Sequence, residues 1–124
     1  MFQITFYVEI LLSGFMRIWD INPDLLCRNH LLGEHRELHA IWKILTENKS
    51  GYAHHPETLR WKGKLKALYI RHSYLVKEME KRGYNHKSPL NKNLAVGYSI
   101  QNYYVDSIED QINILRNKKC ECKV

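Results

Sequence analysis

Residues 30–42 read HLLGEHRELHAIW. Three histidines, two carboxylates and an arginine are threaded between leucines, which fits neither a plain surface helix nor a plain core helix. Leu31, Leu38, Ile41 and Trp42, continued by Leu45, recur at the three- and four-residue spacing of one helical stripe. His30, Glu34, Glu37 and Ile41 follow one another at four, three and four, so they share a face. That register puts Glu37 beside the apolar stripe, where partial desolvation raises a carboxyl pKa and the neighbouring Arg36 lowers it. Such a setting suits acid–base work. Spacing alone leaves three uses open. Glu37 can be catalytic, Glu34 and Glu37 can pair on the surface with His30, His35 or Arg36, or His30 and Glu34 can hold a metal with another histidine.

Working outward, Asn22-Pro23-Asp24 reads as the start of this helix: a capping side chain, then a proline whose missing N–H costs nothing there. The helix ends before Lys49-Ser50-Gly51. His54-His55-Pro56-Glu57 is a connector whose Pro56 can open the next helix. Leu65, Leu68, Tyr69, His72, Leu75, Val76 and Met79 give the second helix, closed by Arg82-Gly83. Lys64, Arg71 and Lys81 lie off its stripe. After a polar loop over 85–93, a third helix is expected from Ser107 to Lys118 with Ile108, Ile112 and Leu115 inward. There is no internal repeat. The expectation is an all-α fold, a compact single domain of three main helices.

At 124 residues the chain can bury one modest core. Its net charge of +6 favours an anionic partner, nucleic acid before a membrane surface. Lys49 to Lys92 carries eleven Lys and Arg against three acids, which is either a binding face or a solvated one. Three cysteines do not make a disulfide scaffold, and an odd count with Cys27 in an apolar helical context predicts a reducing cytoplasm. The C-x-C of Cys120 and Cys122 is half of a zinc site but lacks a second cysteine pair, so no metal is expected. Residues 1–15, MFQITFYVEILLSGF, are apolar except for Glu9. They lack the basic start and cleavage site of a secretory signal and are too short to span a bilayer. The alternation from Phe2 to Ile10 reads as an edge strand without a partner strand.

Met16-Arg17-Ile18, then H-L-x-x-E-x-R-E-L from His30 to Leu38, K-L-x-x-L at 64–68 and Arg82-Gly83-Tyr84-Asn85 together resemble the pyrimidine-dimer DNA glycosylases of the phage endonuclease V type. The likeness covers roughly Arg17 to Asn85. It implies an all-α enzyme that removes a damaged base from double-stranded DNA and nicks the strand by β-elimination, with no metal and no organic cofactor. It implies that the amine of an N-terminal residue is the nucleophile, that the essential carboxylate is Glu37, and that Arg17, His30 and Arg36 contact the DNA. Lys64 and Arg71 of the basic second helix are expected to follow the phosphate backbone.

Aligned on these motifs, Met16 holds the place of the family's N-terminal residue. The expectation is therefore that residues 1–15 are an extension from a start assigned too early, and that residues 16–124 form the helical domain. The chain departs from the pattern at Met16, where the family has a threonine, and at Ala40, where it has an arginine and Lys43 is the nearest substitute. No aromatic-rich tail is present; Tyr98, Tyr103 and Tyr104 offer stacking surface or, alternatively, core. The reading is a monomeric cytoplasmic, nucleoid-associated repair enzyme that uses no membrane. Its rivals are a non-catalytic helical nucleic-acid-binding protein and a lyase acting on abasic sites only.

Overall fold

The stripe of the opening motif is the inner face of a long helix. In the computed structural model, which describes residues 17–51, 53–85 and 88–124, α1 spans Arg28–Glu47 and buries Leu31, Glu34, Leu38, Ile41 and Trp42. The expected extension over 1–15 and the amine expected at Met16 lie outside the described residues. Pro56 does not open the second helix; it opens a separate one-turn helix, α2, at Pro56–Leu59. Then come α3 at Leu65–Lys81 and α4 at Ile108–Asn117. Among the described residues the only β pairing is a single antiparallel bridge between Lys64 and Gly97.

α1 packs against α3, whose buried face is Ala67, Leu68, His72, Leu75 and Met79. Ile18, Trp19, Ile21, Leu26, Trp61 and Leu115 complete the core. Leu31, Leu38, Leu68 and Leu75 have no exposed surface, so truncating any of them to alanine costs roughly 2–5 kcal/mol.

The start of α1 differs from expectation as well. Asn22 does cap, accepting from Asp24 N–H at 3.2 Å, but it caps only a 3-10 turn over Pro23–Leu25. Leu26 then turns extended to enter the core, and α1 starts afresh at Arg28. The helix ends are ordinary in their chemistry. Asn48 adopts the left-handed conformation after α1, and Gly83 (φ +80°) does so after α3, with Tyr84 N–H returning to Met79 O at 2.8 Å. The first turn of α3 is capped by backbone instead: Lys66 N–H donates to Val96 O and Ala67 N–H to Tyr98 O. The approach is so close that a Cβ on Gly97 would fall 2.2 Å from Gly63 O, so only glycine fits there.

Candidate active site

Residues 17–21 belong to no helix or strand, yet Ile18, Trp19 and Ile21 are buried. Buried irregular backbone needs partners for its amides, and here they come from side chains on three helices. Ile18 N–H donates to Glu57 Oε1 of α2 (3.1 Å), Trp19 N–H to Glu34 Oε1 of α1 (3.1 Å), and Asp20 N–H to Gln111 Oε1 of α4 (2.8 Å). Two arginines serve the carbonyls, Arg60 Nη2 at Ile18 O (3.1 Å) and Arg71 Nη1 at Ile21 O (2.8 Å). Arg60 also forks onto Asp20 and bonds Glu57 through Nε at 2.8 Å. The stretch that directly follows Met16 is thus fixed through its main chain.

The Glu34 side chain is wholly buried. Arg71 closes on both of its oxygens, Nε to Oε2 at 2.7 Å and Nη2 to Oε1 at 3.0 Å. Burial pushes the carboxyl pKa up, while the Arg71 fork and the Trp19 N–H pull against that rise. Arg71 was expected to face phosphate, being off the apolar stripe. Instead it spends Nε, Nη1 and Nη2 on protein acceptors, because a buried carboxylate must be paired.

Glu37 lies one turn further along α1 and is half-buried. Burial raises its pKa above the usual carboxylate range and the Arg36 charge partly opposes this, as the sequence register implied. Among the described residues no donor or cation bonds its carboxylate. Arg36 itself is exposed beside it.

Arg17 pairs with Asp106 at 2.7 Å and lies over the Trp19 ring at 4.9 Å. It is the centre of a cationic group. Burial and then the Arg17 charge push both His55 and Lys118 below their ordinary pKa values. His30 stands edge-on to Trp19, with ring centroids 5.8 Å apart, and turns Nδ1 toward Cys27 Sγ at 3.1 Å. Lys64 is half-buried and donates through Nζ to Gln101 Oε1 at 2.7 Å.

Gln101 belongs to a loop that settles the tyrosine question. Tyr98 and Tyr103 are 75% and 62% exposed and Tyr104 is 39% exposed, so these rings are surface, not core. The loop is moored beside the anchored segment: Arg60 Nη1 donates to Tyr103 O at 2.9 Å and Gln101 Nε2 to Arg60 O at 2.6 Å. The sequence reading did not single out Glu57, Arg60, Asp20 or Gln111. An acid and an arginine three apart in the connector, Glu57 and Arg60, were the visible signal; Gln111 carried none.

Two further clusters bring metal-ligand side chains together. The ligand atoms of Cys27, His30, Cys120 and Cys122 lie within 4.8 Å of one another, as do those of His35, His39 and His72. In the second, His39 Nε2 and His72 Nε2 are 3.1 Å apart. Among the described residues no helix is long and apolar enough to cross a membrane.

The helical domain, with its irregular stretch over 17–21 fixed by side chains of three helices, carries the sequence pattern of a family of DNA glycosylases. The family model described as pyrimidine dimer DNA glycosylase covers residues 16–92, and the chain belongs to that family. DNA is accordingly its substrate. The matched span holds Met16, Arg17, His30, Arg36, Glu37, Lys64 and Arg71, and stops before the tyrosine loop, α4 and the last two cysteines. No curated protein and no solved structure matches the chain.

Proposed function

We propose that the protein excises a damaged pyrimidine from duplex DNA and then nicks the strand, through a Schiff base formed on the α-amine of Met16 in a chain that begins there. The observation that carries this reading is the clamp on the Ile18, Trp19 and Asp20 amides, which fixes the backbone next to Met16 and ties Trp19 to the helix that bears Glu37. An α-amine has a pKa of about 7.7–8.0, against about 10.4 for a lysine, so much more of it is unprotonated at neutral pH.

The amine lone pair attacks C1′ of a nucleotide moved out of the stack. The glycosidic electron pair leaves with the base, which takes up a proton. The sugar ring opens as the Glu37 carboxyl gives its proton to O4′, which leaves as a hydroxyl, while nitrogen, having given up a proton to the departing base, forms its second bond to C1′, giving a protonated Schiff base. Glu37 stabilises that cation and accepts the proton from C2′, and the resulting electron pair expels the 3′ phosphate. Water then hydrolyses the imine and frees the amine. Arg17, Arg36 and Lys64 hold flanking phosphates, and His30 adds a contact through Nε2. Tyr98, Tyr103 and Tyr104 supply stacking surface for displaced bases. Arg71 serves by holding Glu34.

Borohydride reduction tests this. A chain starting at Met16 should trap an abasic duplex as a covalent adduct, with mass spectrometry placing it on the Met16 nitrogen. The chain starting at Met1 should not trap, since its residue 16 nitrogen is an amide. Lys118 is the rival to watch, because burial and Arg17 hold its pKa down. An adduct on Lys118, or equal trapping by both chains, overturns the proposal.

A further inference from the structure

Cys27 occupies the N-cap of α1, yet its side chain makes no capping bond. Serine, threonine, aspartate or asparagine usually fills that position, and a residue that does not cap forfeits about 1 kcal/mol. The thiol is engaged elsewhere. One turn on, His30 Nδ1 lies 3.1 Å from Cys27 Sγ. The segment after α4 folds back onto this turn: Lys123 N–H donates to Leu25 O at 2.7 Å and Cys27 N–H to Cys122 Sγ at 3.1 Å. Cys122 Sγ is then 3.4 Å from the same His30 nitrogen, and Cys120 completes the group.

We propose that Cys27, His30, Cys120 and Cys122 form a structural zinc site that fastens the segment after α4 to the start of α1. Tetrahedral zinc, with bonds of about 2.3 Å to sulfur and 2.0–2.1 Å to nitrogen, needs ligand–ligand edges of roughly 3.5–3.8 Å. The separations of 3.1 and 3.4 Å and the outer bound of 4.8 Å bracket those edges. Three sulfurs and an imidazole are soft donors, which select zinc over magnesium or calcium. All three cysteines are free of disulfides. Four protein donors leave no open position, which marks a structural site and not a catalytic one. Binding displaces the three thiol protons to solvent and leaves about one net negative charge on the site. Lys118 lies within electrostatic reach of Cys120 and Cys122 to offset it, and the Cys27 N–H bond to Cys122 Sγ orients that ligand. C-x-x-H at 27–30 and C-x-C at 120–122 are two halves of one site. Only the first half lies within the family match, so the site is not a general feature of the matched span.

The test uses the full chain, titrated with zinc against a chromophoric chelator and then dialysed for metal analysis. About one tightly held zinc per chain is expected, and cobalt in its place should give intense visible bands of tetrahedral geometry with thiolate charge transfer in the near ultraviolet. Cys120→Ser with Cys122→Ser should abolish both signals, whereas His39→Ala, in the other cluster, should keep them. Three titratable thiols with no bound zinc overturn the proposal, as does a disulfide that consumes two of them. A cobalt spectrum that survives the double substitution or disappears in His39→Ala overturns it too. Should the double variant fail to fold, the unaltered chain decides alone: cobalt without thiolate charge transfer rules the site out.

Discussion

The surroundings of Glu34 and of Glu37 differ as much as two environments on one helix can. Glu34 faces inward, is gripped by both arms of Arg71 and by the Trp19 amide, and has no exposed surface. Glu37, a turn away, is half-buried, feels Arg36 through space, and among the described residues has no donor bonded to its oxygens. Both carboxyls are pushed up by burial, so a raised pKa does not tell them apart. Partners do. A buried carboxylate with both oxygens bonded to the protein is a piece of scaffold, and one at the edge of the core that no described donor bonds can meet a substrate.

Exchanging each acid for its amide probes that division. Glu37→Gln should lower strand nicking by about 10²–10⁴-fold, the range of general acid–base contributions, with melting temperature and DNA affinity nearly unchanged. Nicking close to the unaltered rate would put both glutamates in the structural class. Glu34→Gln should do the reverse and leave the Arg71 charge buried without a counter-charge, which costs about 3–5 kcal/mol in urea unfolding. If Glu34→Gln unfolds like the unaltered protein, the clamp does not depend on that charge.

Smaller effects sharpen the picture. Arg36 holds the Glu37 pKa down, so Arg36→Ala should raise it, and the acid limb of the nicking rate against pH should move to higher pH. A limb that stays put, or moves down, would show that another group sets it. Lys64→Ala should reduce the slope of log affinity against log salt by about one unit if its ammonium meets phosphate. Arg71→Ala should leave that slope alone and register as lost stability, since its guanidinium faces inward.

The residues that sequence could place were those whose partners lie along the same helix. The Leu31, Leu38, Ile41 and Trp42 face, the Leu68, Leu75 and Met79 face and the glycine stop at Gly83 are all periodic or local signals, and all hold. The shift of Glu37 followed from register and one neighbour. The pairing of Arg71 was not legible because its partner is 37 residues away, and no spacing rule shows that an off-stripe cation is claimed by a buried acid. The same blindness hid Asp20 from Gln111, 91 residues apart, and Cys27 from Cys122, 95 apart. Asn22-Pro23 gave a true local signal whose extent was overridden, since burying Leu26 broke the helix after one turn.

The clamp on the amides of Ile18, Trp19 and Asp20 also fixes how that stretch can open. Its three acceptors sit on α2, α1 and α4, so fraying of any one helix releases at most one amide. Freeing all three takes loss of the whole domain. Their protons should therefore exchange with deuterium as slowly as those in the middle of α1, although no helix or sheet protects them. A stretch of backbone in no helix or strand would then be among the last to let solvent in.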